Sequence, residues 1–115
     1  MDERKEAFGL VITSSAKTAY YKLLHYLYRH YSPDRAQELA EAILDEPLML
    51  LEHPDMGSPE MKLADRAYSY GYLLFRRSNS ATVKIIYFVD KVQKTIYVTD
   101  FFPTEMHPDG MFDMS

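Results

Sequence analysis

The sequence predicts an α+β domain, a helical hairpin packed on one face of a mostly antiparallel four-stranded sheet in the order β-α-α-β-β-β. Three observations carry that reading. From Tyr70 to Pro103, segments rich in Tyr, Val, Ile, Phe and Thr alternate with two short polar turns, which is the pattern of an antiparallel meander. Between residues 16 and 44, apolar residues recur at three-and-four spacing on either side of Ser32-Pro33, as in two helices that each bury one stripe. The chain has 115 residues, 47% of them apolar, so it is large enough for one core and too apolar for disorder. We read 1–115 as a single domain, with 102–115 as a C-terminal tail.

Phe8 to Thr13 (FGLVIT) is short, apolar and partly β-branched, and is predicted to be the first strand. Ser14 and Ser15 are its following N-cap candidates. The first helix then buries Ala16, Ala19, Tyr20, Leu23, Leu24, Leu27 and Tyr31. Ser32 caps the second helix, and Pro33 sits in the first turn, where its missing N–H removes no helical bond. That helix buries Ala36, Leu39, Ala40, Ile43 and Leu44, with Glu38, Glu41 and Asp45 turned outward. Pro47 ends or kinks it, and Leu48 to Leu51 add one more helical turn before His53-Pro54. Residues 55–67 contain Gly57-Ser58-Pro59 and no period, so they are read as a loop. Ser78-Asn79-Ser80 and Asp90-Lys91 then supply the turns of the meander, whose middle strand is Thr82 to Val89.

Composition limits the function. Cysteine is absent, which removes disulfides and thiolate metal sites and fits a reducing compartment. The mixed charges of Met1-Asp-Glu-Arg-Lys-Glu are unlike a signal peptide, and no apolar run approaches the roughly 18 residues of a spanning helix. A cytoplasmic protein with no membrane partner is therefore expected. The net charge is −4, but between Arg66 and Thr99 six basic residues (Arg66, Arg76, Arg77, Lys84, Lys91, Lys94) face the single acid Asp90. This locally basic sheet is compatible with an anionic ligand; edge lysines that keep a sheet soluble give the same count. His25 and His30 lie roughly 140° apart round a helix and do not converge on a metal. Tyr20, Tyr21, Tyr26, Tyr28 and Tyr31 are read as packing residues with wet hydroxyls rather than a base-stacking platform. No metal or cofactor is expected.

Alternation along the middle strand separates its two faces. Val83, Ile85, Tyr87 and Val89 share the helix-facing side, and Lys84, Ile86 and Phe88 the open one. A monomer does not readily leave Ile86 and Phe88 to water. Either a partner segment lies across them, making Lys84, Ile86 and Phe88 the partner-binding set, or Met111 and Phe112 of the tail fold back.

The chain resembles the RelE/ParE superfamily, the toxins of bacterial type II toxin–antitoxin systems and plasmid-stabilisation modules. The resemblance lies in the element order and in an ordered set of local features: Ser32-Pro33 followed by Ala36, the spacing Leu51, Pro54, Gly57, the strand Val83 to Val89, Ile96-Tyr97-Val98, and His107-Pro108. It implies a toxin neutralised by a cognate antitoxin and compatible with a homodimer. The target it implies is either DNA gyrase (ParE-like) or mRNA in the ribosomal A site (RelE-like). A metal-free ribonuclease needs cations on the scissile phosphate and an acid for the leaving oxygen. By resemblance, Lys84 stands where a catalytic arginine begins the central strand, and Arg76 and Arg77 lie near the family's basic positions, which here fall at about Leu73 and Phe75. The C-terminal arginine falls near Pro103, and His107 is the late candidate acid. Most of that set is replaced, so the gyrase-directed, non-nucleolytic branch is preferred. The alternatives are an mRNA endoribonuclease using Lys84, Arg76, Arg77 and His107, and a detoxified relative that serves as a protein-binding module.

Overall fold

Thr13 opens the first helix by accepting a hydrogen bond from the Ala16 N–H at its side-chain oxygen, so the cap lies one residue before the serines expected to supply it. The Ser15 hydroxyl instead donates to the Thr99 carbonyl, fastening this helix start to the last strand. The computed structural model describes residues 7–60, 69–76 and 82–104. Its elements are β1 (Gly9–Ile12), α1 (Ser14–His30), α2 (Pro33–Asp45), a 3-10 helix (Glu46–Leu51), β2 (Ser58–Pro59), β3 (Tyr70–Arg76), β4 (Thr82–Asp90) and β5 (Thr95–Pro103).

The second helix starts as expected, with the Ser32 hydroxyl accepting from Arg35 N–H and Pro33 in the first turn. Pro47 cannot donate to an α-helical ladder, and the chain tightens there into the 3-10 helix, which buries Pro47 and Leu50. Between α1 and α2 the Tyr20 hydroxyl donates to the Ala40 carbonyl at 2.7 Å. Burial, followed by the nearby Glu41 charge, raises the Tyr20 pKa.

The sheet has five strands, in the order β1-β5-β4-β3-β2. The four-stranded expectation is corrected by β2: Ser58 and Pro59 lie in the segment read as loop, yet pair antiparallel with Tyr72 and Gly71. A two-residue strand has no alternation to detect, and Pro59 is tolerated because β2 is an edge. β1 occupies the opposite edge, parallel to β5, and the other pairings are antiparallel. The turn between β4 and β5 is held by Asp90, whose Oδ1 accepts from the N–H groups of Val92 and Gln93. Lys94, with φ 53°, closes it in the left-handed region.

Both helices cover the same face. Ala16, Leu23 and Leu27 of α1 and Ala36, Leu39, Ala40 and Ile43 of α2 pack against Leu73, Val83, Ile85, Tyr87, Ile96, Val98 and Phe101 of the sheet. Leu44, expected inside, stays 40% exposed. Of the helix tyrosines, Tyr20 packs into the hairpin whereas Tyr21 and Tyr28 are exposed. Tyr87 explains two glycines. Its hydroxyl accepts from Gly57 N–H, and a Cβ on Gly71 would stand 2.9 Å from the same hydroxyl. Burial raises the Tyr87 pKa, a rise the Gly57 N–H partly opposes. Among the described residues no helix is long and apolar enough to cross a membrane.

Candidate protein-binding face

The sheet face turned away from the helices is built in rows by strand register. Tyr70, Phe88 and Tyr97 form one row across β3, β4 and β5; Tyr72, Ile86 and Asp100 the next; Leu74, Lys84 and Phe102 the third; and Arg76 with Thr82 the last. Directly opposed residues on antiparallel strands share a face, so this register places Lys84, Ile86 and Phe88 together. All three are half-buried. In the first row the rings touch. Phe88 stacks on Tyr97 with centroids 4.9 Å apart, and Tyr70 meets Phe88 edge-on at 5.2 Å. Val11 of β1, opposite Tyr97, extends this surface and is 41% exposed.

Lys84 is not a lone cation. Its Nζ lies 2.6 Å from Glu60 Oε1 and 4.5 Å from the centre of the Tyr72 ring. Glu60 follows β2, hydrogen-bonds through its N–H to the Tyr70 carbonyl, and is 5% exposed. A carboxylate this buried is tolerable only beside a cation. Lys84 is thus the counter-charge of Glu60, and the ammonium is neutralised where it stands. Asp100 brings a second carboxylate to the adjoining row, and burial raises its pKa against the lowering effect of the Phe101 N–H. The basic balance read between Arg66 and Thr99 stops just short of both acids. In three dimensions Glu60 and Asp100 flank Lys84, so the middle of the face carries no excess of positive charge among the described residues.

Of the other residues expected in a ribonuclease site, Arg76 is exposed at the end of β3, on the same face and one row beyond Lys84. Arg77 and His107 lie outside the described residues, as do Arg66, the Ser78-Asn79-Ser80 turn, and Met111 and Phe112 of the tail. Among the described residues no group of three or more His, Asp or Glu could hold a metal ion. Glu60 gave no signal in the sequence because the segment around it has no period. Asp100 was hidden by an irregularity in β5: the register steps between Ile86–Asp100 and Tyr87–Val98, leaving Thr99 as an extra residue.

A search of curated protein sequences finds no match. Among solved structures, the chromosomal ParDE toxin–antitoxin system of P. aeruginosa superposes with a TM-score of 0.67 at 14% identity, covering 86% of this chain and 98% of that one. The E. coli toxin RelE, an arginine double mutant in the free state, does so with a TM-score of 0.53 at 14% identity, covering 88% and 87%. These are likenesses of fold. The family model described as the ParE toxin of the type II toxin–antitoxin system parDE matches residues 10–108, almost the whole of the domain. The chain therefore belongs to the ParE toxin family of type II toxin–antitoxin systems.

Proposed function

We propose that this chain is a toxin held inactive by a cognate antitoxin, and that it arrests growth by binding a protein target, DNA gyrase by family resemblance, rather than by cutting mRNA. The observation that carries the second half is the Lys84–Glu60 pair, at 2.6 Å. RNA cleavage without a metal requires unpaired donors or cations where charge develops on the phosphate. Lys84 is already neutralised by a buried carboxylate, and an approaching phosphate would also meet Asp100 in the adjoining row. The same face offers Tyr70, Phe88, Tyr97 and Ile86, aromatic and apolar surface of the kind that protein interfaces use as anchors.

The test is growth of a bacterial host on induction of the chain alone, with the DNA-damage response and transcript integrity followed together. Arrest with damage signalling and intact transcripts is expected. Arrest with transcripts cut during translation would move the chain to the ribonuclease reading, with Arg76 and Lys84 as the residues to examine. Growth without arrest, in cells containing the folded protein, would leave the detoxified binding module.

A further inference from the structure

Asp100 is on the open face because of Thr99. Without that extra residue, strict alternation from Ile96 and Val98 would turn Asp100 under the helices and Phe101 outward. With it, Phe101 is buried in the core and Asp100 stands opposite Ile86. The bulge is fastened on both sides, by the Thr99 hydroxyl donating to the Ile86 carbonyl and the Ser15 hydroxyl donating to the Thr99 carbonyl. The carboxylate so placed is half-buried. No ion pair reaches it among the described residues, since Lys84 in the adjoining row is engaged by Glu60.

Its surroundings match one kind of ligand. Along β5 the open face presents Tyr97, then Asp100, then Phe102, which is 43% exposed. The Tyr97–Phe88 stack lies on one side of the carboxylate, and Ile86 opposite it. Aromatic faces attract a cation, apolar surface receives the methylene stem of a long basic side chain, and a carboxylate fixes its charge. A nucleic acid would bring phosphates toward Asp100 and be repelled.

We infer that Asp100, with the Tyr97–Phe88 stack and Ile86, forms a socket for one arginine or lysine of the antitoxin, on a segment of it that lies across the open face. The inference rests on the toxin reading above and adds the chemistry of the partner. The occupant is assigned to the antitoxin, the partner that the toxin reading supplies, and a basic side chain on it complements the half-buried carboxylate. Part of the desolvation of Asp100 is already complete in the free chain, so pairing there gains more than pairing at a fully hydrated carboxylate.

The experiment uses the full chain and the antitoxin encoded in the neighbouring reading frame. Dissociation constants are measured for the unmodified chain and for Asp100→Asn and Asp100→Lys, with each basic residue of the antitoxin replaced in turn by alanine, and thermal melts confirm that the variants are folded. Asp100→Asn should weaken binding by about tenfold or more, and Asp100→Lys further. In a double-mutant cycle one antitoxin arginine or lysine should lose its own effect once Asp100 is gone. Binding by folded Asp100→Asn within about twofold of the unmodified chain, or no coupling to any basic residue, would overturn the socket and leave the toxin reading standing. Failure of the unmodified chain to bind that antitoxin would overturn both.

Discussion

The two faces of β4 are made of the same kinds of residue and have opposite fates. Val83, Ile85 and Tyr87 are buried beneath the helical hairpin, while Lys84, Ile86 and Phe88, their immediate neighbours in sequence, remain half-exposed. Hydrophobicity does not distinguish Ile85 from Ile86; the covering layer does. On the helix side, apolar area removed from water stabilises the fold. On the open side, the surface is aromatic and interrupted by two carboxylates, Lys84 and Arg76, and less apolar area is removed from water there.

The contrast is sharpened most by exchanging the same residue on each face. Ile85→Ala leaves a cavity in a fully buried site and should cost about 2–5 kcal/mol, whereas Ile86→Ala should cost under about 1.5 kcal/mol. Equilibrium denaturation of the two variants checks this, and equal losses would mean that the open face is packed as tightly as the core. A smaller effect is expected at the rim. In Gly57→Ala the new methyl meets the Tyr87 hydroxyl and lies 2.7 Å from the Tyr72 backbone oxygen, which cannot swing away. A loss of about 1–3 kcal/mol follows, again read by denaturation. Tyr20→Phe removes the bond to Ala40 and should cost about 1 kcal/mol through α1–α2 docking, measurable as a shift of the melting midpoint.

The mildest change runs in the favourable direction. Burial raises the pKa of Asp100 in the folded chain, so the folded state holds that proton more tightly than the unfolded state. Acidification through the window between the unfolded and the raised folded value therefore favours folding, and above the window the ionised group is a cost. Lys84 and Glu60, which share its face, are already paired with each other. Asp100→Asn should melt above the unmodified chain at neutral pH, with a margin that narrows as pH falls below the raised value. Thermal melts across that range check it, and a margin that widens on acidification would contradict the assignment.

The sequence carried the layer order well, because strand alternation and helical spacing are periodic signals with few alternatives. Val83, Ile85, Tyr87 and Val89 were placed inside and Lys84, Ile86 and Phe88 outside from alternation alone, Val89 proving only partly buried, and Ser32 and Pro33 marked the second helix from cap chemistry. What it missed was non-periodic. β2 is two residues long, Thr13 displaced the serines as cap through the detailed turn of the chain, and Leu44 remained exposed at the end of its stripe. The pairing of charges on the open face was out of reach for a related reason. Glu60 reaches Lys84 across 24 positions of sequence, and Asp100 changes face through one inserted residue. Neither relation leaves a trace in a local window.

The most direct measurement on the open face is the integrity of a defined mRNA in a translating bacterial extract to which the purified chain is added without antitoxin. If Lys84 is the structural counter-ion of Glu60 and the face binds protein, the transcript remains intact while gyrase supercoiling in a parallel reaction is inhibited. Cleavage of the transcript at ribosome-occupied codons, arising only during translation, would contradict this and make the face a catalytic one.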